Sequence, residues 1–310
     1  MTCVNIIAGI TAPVDLNRPV ITIGTFDGLH LGHQSIFDTM KQHAMEQDAE
    51  TAVITFNPHP RLVLGHQVYL LNTQMEKRAL LAESGIHHMI EIPFTREFAR
   101  HTANEFIEMI ARNIKPRLVV IGFDHGFGQG RSGNISHFYH NAQKFDFAIK
   151  HVDELVVDGQ KVSSSAIRWL LQEGQAQQAS RLLGRRYEIT GQVVRGNQIG
   201  RLIGYPTANL YIDDPNKLIP AMGVYASKVY FKNRIFNGMT NIGMRPTINA
   251  YKLTIETNIF DFDEDIYYES LTIQLVKRIR NEKKFGNLDL LKTQLKHDSI
   301  EAAGILSSTD

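Results

Sequence analysis

The sequence predicts an α/β fold of two domains: a doubly wound domain with a parallel sheet, then an antiparallel β-barrel that ends in a helix. Three observations lead to this fold class. The 310 residues are enough for about two domains of roughly 150 residues each. The first half alternates β-branched apolar runs with longer helical patterns, whereas the second half has many short strand-like runs without crossover helices. The rhythm changes near Gly184, so we expect a boundary within 183–186 that separates residues 1–183 from residues 184–310.

The first half contains the strands and helices of the predicted parallel sheet. Nearly all-apolar runs are typical of strands that are buried on both faces. Such strands are predicted over residues 20–24, 51–56, 117–122 and 147–157. Helical patterns cover residues 34–47, 75–84, 97–113, 163–173 and 176–183. Because ligands of doubly wound sheets bind at the carboxyl ends of the strands, the loops that follow these strands are candidate binding loops.

The second half contains strand-like runs separated by Gly, Pro, Asn or Asp. They cover residues 187–194, 224–231, 234–240, 253–260 and 271–276. In the last run Leu271, Ile273 and Leu275 alternate with polar residues, so one face is expected to be buried. A helix is predicted from Leu288 to about residue 303.

Composition limits the partners of the chain. The net charge is +1, so no overall field attracts nucleic acid or an anionic membrane. The single cysteine, Cys3, cannot form an intrachain disulfide. No apolar run approaches the roughly 18 residues that span a bilayer, and residues 1–13 lack the basic region of a signal peptide. We therefore expect a cytoplasmic protein with no nucleic acid and no membrane as partners. Small-molecule substrates and a monomeric or weakly homo-oligomeric state are also expected.

A turn with two histidines joins the first clear strand to its helix. Glycines in residues 24–33 let the backbone approach a phosphate, and the N–H groups at the helix start favour anions. His30 and His33 could donate hydrogen bonds to a triphosphate and meet charge that develops at its α-phosphorus. A metal-binding pair or two ordinary turn histidines are the alternatives. The flanking glycines at a strand-to-helix junction favour the nucleotide interpretation.

These residues and several later segments resemble one family. Residues 24–33 resemble the signature G-x-F-D-G-x-H-x-G-H of prokaryotic bifunctional riboflavin kinase/FMN adenylyltransferases, or FAD synthetases, which contains the H-x-G-H of the nucleotidyltransferase superfamily. Residues 56–60 are similar to the family's F-x-P-H-P, residues 122–133 to its G-x-D-F-x-F-G-x-x-R-x-G, and residues 162–168 to its I-S-S-T-x-I-R. The resemblance covers roughly residues 20–299 and implies a Rossmann-like nucleotidyltransferase domain followed by a riboflavin kinase barrel.

The resemblance also implies site residues in the first half. ATP would contact Gly24, Phe26, Asp27, Gly28, His30, His33, Asp124, Ser164 and Arg168. FMN would contact Asn57, His59, Pro60, Phe127 and Arg131. Taken alone, Asp124 could equally be a cap, and one of the serines at 163–165 is expected to cap a helix. The pattern G-x-G-x-x-G at residues 128–133 follows a later strand rather than the first strand–helix turn, so NAD binding is not expected.

A second candidate site lies in the barrel half. Thr207 and Asn209 are two residues apart on an extended segment, so their oxygens face one side and suit a nucleotide-borne Mg²⁺. Alone this is a weak signal, but P-T-A-N is similar to the hallmark of riboflavin kinases. The resemblance implies Mg²⁺ contacts from Thr207 and Asn209. It implies ATP contacts from Gly196, Gly204, Pro206, Thr207 and Asn209, and flavin contacts from Arg280, Glu282 and Phe285.

Glu256 is the candidate general base of the barrel half. Its segment is similar to the family's E-x-H-x-x-D-F, which implies that Glu256 takes the proton of the riboflavin 5′-hydroxyl. An outward-facing strand glutamate is the alternative. The chain departs from the family at Asn258, where His is usual, at Tyr268, where Gly is usual, and at 125–126 and 286–287. Loss of a glycine strains a turn if the position needs positive φ.

The resemblance thus implies an enzyme that phosphorylates riboflavin to FMN and then adenylylates FMN to FAD, with ATP as substrate of both steps and Mg²⁺ as cofactor. One alternative is a monofunctional FMN adenylyltransferase with a degenerate kinase domain. A non-catalytic flavin or nucleotide sensor is another. A metal-dependent hydrolase built on the histidines is less favoured, because no further ligand cluster has suitable spacing.

Overall fold

The first compact unit is built on a parallel sheet. The structure is a computed structural model that describes residues 4–123, 135–196, 198–246 and 251–308. The chain forms two compact units, Met1–Ser164 and Ser165–Asp310. The sheet strands are β1 (Asn5–Ala8), β2 (Val20–Ile23), β3 (Thr51–Asn57), β4 (His88–Pro93), β5 (Leu118–Gly122) and β6 (Ala148–Val152). All neighbours are parallel, in the order β1-β4-β3-β2-β5-β6. From β2 the chain adds β3 and β4 on one side of β2, and then crosses over to add β5 and β6 on the other side. The topological switch point therefore lies between β2 and β5.

Helices cover both faces of this sheet. They are α1 (Leu31–Glu46), α2 (Pro60–Val63), α3 (Gln74–Glu83), α4 (Ala103–Asn113) and α5 (Ile135–Phe145), with a 3₁₀ turn at Phe98–Arg100 and a hairpin of β7 (Val156–Val157) and β8 (Gln160–Lys161). One apolar cluster joins sheet residues to Ile107 and Phe138, and another joins them to Phe37, Met40 and Leu81. Burial on both faces explains why the strands are almost wholly apolar, and the predicted doubly wound sheet is confirmed.

Two predicted elements of this unit were wrong in extent. The strand predicted over 147–157 ends at Val152, and Val156–Val157 pairs instead with Gln160–Lys161 around the turn at Asp158 and Gly159. The helix predicted over 97–113 begins at Ala103, because Thr102 and Glu105 form a reciprocal capping box there. A capping box satisfies two N–H groups at a helix start and so fixes where the helix begins.

The second unit contains a closed antiparallel barrel. Its helices are α6 (Ser164–Gln172), α7 (Ala176–Leu183), α8 (Ile199–Leu202) and α9 (Leu288–Ser307). Its strands are β9 (Tyr187–Val194), β10 (Ala208–Tyr211), β11 (Gly223–Phe231), β12 (Arg234–Pro246), β13 (Tyr251–Ile259) and β14 (Ser270–Arg280). The order around the barrel is β10-β13-β12-β11-β14-β9. Leu271, Ile273 and Leu275 are fully buried, as their alternation predicts.

The first compact unit ends before most of α6, so α6 and α7 belong to the barrel unit. The functional division at residues 183 and 184 stays a prediction.

Helix α9 is fastened to the outside of the barrel. Ala302 and Leu306 pack on barrel residues that include Val224 and Met239. The Arg280 guanidinium donates to both carboxylate oxygens of Asp298, from Nε to Oδ1 over 2.9 Å and from Nη2 to Oδ2 over 2.6 Å. Asp298 is 1% exposed, so this pair joins β14 to α9 inside the packed interface.

Two departures from the family pattern have local roles in this unit. The Asn287 side chain accepts a hydrogen bond from the Leu290 N–H over 2.9 Å and so caps α9. Tyr268 has φ +68°, the left-handed conformation that glycine adopts without strain. Its N–H donates to Val193 O over 2.7 Å, which holds the strained turn in place.

Gly174 provides a test of how α6 and α7 dock on the barrel. Its φ is +75°, and an added Cβ would lie 2.7 Å from Nη1 of Arg278 in β14. We expect Gly174→Ala to lower the free energy of unfolding by more than about 1 kcal/mol, because both the backbone and the Arg278 contact oppose a side chain. Gly304→Ala in α9 is the control, since a Cβ there meets open space. Chemical denaturation of both variants measures the difference, and an equally stable Gly174→Ala protein contradicts the argument.

Candidate active sites

The first candidate site is the turn between β2 and α1, at the switch point of the sheet. Phe26, Gly28 and Leu29 have φ values of +47°, +89° and +37°, so the turn is unusually tight. The φ of Gly28 favours glycine, and a Cβ at this position would also lie 2.6 Å from Leu71 Cδ1. Residue 30 is the N-cap of α1, and the turn therefore delivers its side chains to the N–H groups at the helix start.

The two histidines of this turn lie together. The rings of His30 and His33 are stacked, with centroids 3.7 Å apart and an interplanar angle of 16°. Phe26 contacts His33 edge-on at 5.1 Å. His30 is 6% exposed, so its ring is fixed by packing. Paired imidazoles beside the positive end of a helix form a site that can stabilise negative charge on a phosphate.

Asp27 and Ser164 brace the same turn. Oδ1 of Asp27 accepts hydrogen bonds from the N–H groups of Leu71, at 2.9 Å, and Asn72, at 3.2 Å. The Ser164 hydroxyl donates to the Asp27 carbonyl over 2.9 Å. Asp27 is 2% exposed, so its carboxylate supports the turn from inside the protein. Direct contacts of Gly24, Phe26, Asp27, Gly28 and Ser164 with ATP stay predictions.

Lys77 is a support of the turn that the sequence analysis missed. Its Nζ donates to the Thr25 carbonyl over 2.9 Å, and the side chain is buried. Burial lowers the pKa of Lys77, and the nearby carboxylates of Asp27 and Glu91 act in the opposite direction. A signal was present, since Lys77 lies four residues before the buried Leu81 and so falls on the inward stripe of α3.

Removal of the Lys77 amine is expected to impair chemistry at this turn. Lys77→Met keeps most of the volume but removes the 2.9 Å hydrogen bond to Thr25 O, which then keeps only the 3.4 Å contact from Thr55 Oγ1, so the turn that carries His30 should shift. We expect the rate of FMN adenylylation to fall at least about tenfold, because small misplacements of catalytic groups are costly. Lys41→Met is the matched control. Lys41 lies in α1, and its Nζ also donates to a backbone carbonyl, that of Ser84. Equal rates for the two variants contradict a role for Lys77.

The end of β3 brings further predicted residues to the same edge of the sheet. Asn57 Nδ2 donates to Glu91 Oε1 over 2.8 Å, and Arg78 pairs with Glu91 at 3.1 Å. His59 is the N-cap of α2, and its Nδ1 accepts the Arg61 N–H over 3.2 Å. Pro60 occupies the first helical position, where its missing N–H costs nothing. Because β3 neighbours β2, these residues and the histidine turn lie at one carboxyl edge.

Some predicted residues of the first site cannot be placed beside it. Asp124, Phe127, Arg131 and the pattern at 128–133 lie outside the described residues. Arg168 is half-buried in α6, in the second unit. The predicted ATP contact of Arg168 therefore stays a prediction.

The second candidate site spans three strands of the barrel. Glu256 in β13 is the direct partner of Asn209 in β10 and of Asn241 in β12. Directly opposed side chains share a face, so these three lie in one row. Arg245 Nη2 donates to Glu256 Oε1 over 2.5 Å, and both side chains are partly buried. Glu256 is therefore an oriented, charge-paired carboxylate rather than an isolated surface glutamate.

Thr207 and Asn209 lie against glycines of the preceding segment. A Cβ at Gly196 would overlap the Asn209 amide, and a Cβ at Gly200 would lie 3.6 Å from Thr207 Oγ1. The lack of a side chain at Gly196 thus leaves room around the Asn209 amide, and Thr207 supplies a hydroxyl two residues away. An amide oxygen and a hydroxyl are hard ligands of the kind Mg²⁺ prefers. This cradle fits the predicted metal. Gly204 has φ +82°, and the Pro206 carbonyl accepts a hydrogen bond from Asn258 Nδ2 over 2.7 Å.

Comparison with known proteins identifies both units. A family model described as FAD synthetase matches residues 13–166, and one described as riboflavin kinase matches residues 183–306. A Haemophilus influenzae bifunctional riboflavin kinase/FMN adenylyltransferase is 37% identical and covers 93% of this chain and 94% of its own. The Bacillus subtilis protein of the same name is 34% identical over 94% of this chain and 93% of its own. The chain belongs to the bifunctional riboflavin kinase/FMN adenylyltransferase family.

One solved structure has the same fold over nearly the whole length of both chains. It is a Streptococcus pneumoniae chain described as a macrolide-efflux protein, 30% identical, with a TM-score of 0.87 and coverage of 97% of this chain and 99% of that chain. Within the described residues of the present family member, no helix is both long and apolar enough to cross a membrane. Within the same residues, no three His, Cys, Asp or Glu side chains are arranged to hold a metal ion.

The predicted flavin contacts of this riboflavin kinase domain have structural partners. Arg280 is engaged by Asp298, and its guanidinium lies 5.8 Å from the Phe285 ring. Glu282 accepts the Met244 N–H over 3.2 Å and lies against Gly243, where a Cβ would overlap its carboxylate. Contacts of Arg280, Glu282 and Phe285 with flavin stay predictions. The pairing of Arg245 with Glu256 was not predicted from the sequence, because that contact depends on the register of β12 against β13.

Proposed function

We propose that this chain makes FAD from riboflavin in two steps, with one step in each unit. The barrel transfers the γ-phosphoryl group of ATP to riboflavin, and the parallel-sheet unit transfers AMP from a second ATP to FMN with release of pyrophosphate. The observation that carries the proposal is that one chain contains both family domains and forms both motif sites, the stacked His30–His33 pair and the Glu256 row.

In the barrel, Glu256 acts on the riboflavin 5′-hydroxyl. Its carboxylate takes the hydroxyl proton as the oxygen attacks the γ-phosphorus, and ADP leaves. Arg245 holds Oε1 of Glu256, which leaves Oε2 for the hydroxyl. Thr207 and Asn209 would hold Mg²⁺, which when bound neutralises charge on the ATP phosphates. The row of Asn209, Glu256 and Asn241 therefore places nucleotide and acceptor hydroxyl on one face.

In the parallel-sheet unit, His30 and His33 act on the α-phosphate of ATP. An oxygen of the FMN phosphate attacks the α-phosphorus, the bond between the α-phosphorus and the α,β-bridging oxygen breaks, and pyrophosphate departs. The FMN phosphate is already a nucleophile, so this step needs positioning and charge stabilisation rather than a base. The histidine rings and the N–H groups at the start of α1 supply donors for that charge.

The reaction is proposed to occur in the cytoplasm on free small molecules. The net charge of +1 and the single cysteine support a protein that binds ATP and flavins through local groups in a reducing compartment. Binding of nucleic acid or membrane is not proposed, and the chain is proposed to act as a monomer or weak homo-oligomer.

A chromatographic assay tests the two steps separately. Purified protein with riboflavin and MgATP should give FMN and then FAD, and with FMN and MgATP should give FAD and pyrophosphate. FAD from FMN without FMN from riboflavin would instead support a monofunctional adenylyltransferase. Tight flavin binding without turnover in either assay would support the sensor alternative and reject the proposal.

A further inference from the structure

A buried amide on β13 contacts the carbonyl group that precedes Thr207. Asn258 is 8% exposed, and its Nδ2 donates to Pro206 O over 2.7 Å. Proline has no N–H, so this carbonyl is its only backbone hydrogen-bonding group. The contact therefore fixes the start of the segment that carries the Thr207 hydroxyl and the Asn209 amide.

The same strand also carries the proposed base. Glu256 and Asn258 are two residues apart on β13, so both lie on one face of the strand. Glu256 faces Asn209 across the β10–β13 pair, and Asn258 reaches Pro206, just before β10 begins. Strand β13 thus holds the 206–209 segment at both ends. On the other side of Pro206, the Tyr205 N–H donates to Gly200 O over 2.8 Å, and Tyr205 packs on the apolar cluster under α9.

We propose that Asn258 is a positioning residue of the kinase reaction, which holds Pro206 so that Thr207 and Asn209 face the Mg²⁺-bound phosphates of ATP. This inference rests on the proposed kinase function of the barrel. It also explains the departure from the usual histidine, because an amide N–H and an imidazole N–H are both donors to a carbonyl. The substitution keeps the donor and so keeps the segment in place.

Variants at Asn258 and at its neighbour separate positioning from general damage to the strand. Asn258→Leu keeps the volume and removes the donor, whereas Asn258→His supplies the donor that the family uses. Thr257→Val is the matched control, since Thr257 is also buried, on the opposite face, and the substitution removes its contact of 2.9 Å to Thr240. All three are made in the full chain, where FMN adenylylation by the parallel-sheet unit is the internal reference activity and Thr257→Val reports general damage to β13.

The kinetic readout is the KM for MgATP at saturating riboflavin. Asn258→Leu is expected to raise it about tenfold, equivalent to about 1.4 kcal/mol, with little change in the KM for riboflavin. Asn258→His and Thr257→Val should stay near the wild-type value. An unchanged KM for MgATP in Asn258→Leu, or an equal rise in Thr257→Val, overturns the proposal.

Hydrogen–deuterium exchange gives a readout that does not depend on turnover. In the protein without nucleotide, Asn258→Leu should speed amide exchange in residues 207–211, and Thr257→Val should not. If wild type fails to phosphorylate riboflavin, the proposed kinase function fails, while exchange still decides whether Asn258 holds this segment. Unchanged exchange in Asn258→Leu overturns the inference even if the kinase is active.

Discussion

Replacement of His33 by alanine is expected to lower the rate of FMN adenylylation at least about 100-fold, because one donor to the developing charge is lost. The ring of His33 stacks on His30 at 3.7 Å, so its removal also frees the second imidazole from its packing. Riboflavin phosphorylation by the same chain should be unchanged. The measurement is FAD formation from supplied FMN and MgATP, followed by chromatography.

His43→Ala is the matched control for this prediction. His43 lies on the same helix, pairs with Glu46 at 3.3 Å, and is in the last turn of α1, remote from the helix start. The His43→Ala protein should adenylylate FMN at the wild-type rate. Normal FAD formation by His33→Ala would contradict a role of the histidine pair in the reaction. Loss of FAD formation in both variants would indicate disruption of α1.

Glu256→Gln is expected to lower riboflavin phosphorylation by at least about 100-fold, because the amide cannot accept the proton of the attacking hydroxyl. Gln keeps the shape and a hydrogen-bonding oxygen for Arg245, so the barrel should remain folded. Adenylylation of supplied FMN should be spared. Initial rates of FMN formation from riboflavin measure the effect.

The matched control for Glu256→Gln is Glu264→Gln. Glu264 is also paired with an arginine, Arg234, at 2.6 Å, but its side chain is exposed and lies outside the Glu256 row. It should phosphorylate riboflavin normally. Retained kinase activity in Glu256→Gln would show that Glu256 is not the general base. Equal losses in both variants would indicate damage to the barrel surface.

Much of the fold could be predicted because burial leaves a strong local pattern. The predicted limits of α7 and β9 agree with the structure at Ala176–Leu183 and Tyr187–Val194. Strand β1, at Asn5–Ala8, was missed because it is an edge strand with exposed residues and no long apolar run. Strand β12 continues past Thr240 to Pro246 because it pairs with β13, which no property of its own residues reveals.

The candidate sites were also predicted in part, where short local motifs mark them, and missed where distant residues support them. The motifs placed the histidine turn, the P-T-A-N segment and Glu256 on the correct elements. The supports were missed because they come from distant positions, as when Lys77 reaches Thr25 across 52 residues of sequence. The family pattern named His where this chain has Asn258, but only the packing of β13 reveals that the amide meets Pro206.

The register of β13 has a consequence for mutational tolerance in the barrel. Ile255 and Thr257 are 4% and 0% exposed and face away from Glu256. Since side chains alternate along a strand, a one-residue insertion or deletion in β13 would turn the carboxylate inward and bring a buried neighbour to the surface. A one-residue insertion or deletion in β13 should therefore abolish riboflavin phosphorylation as completely as loss of Glu256. Point substitutions on the inner face should only alter stability.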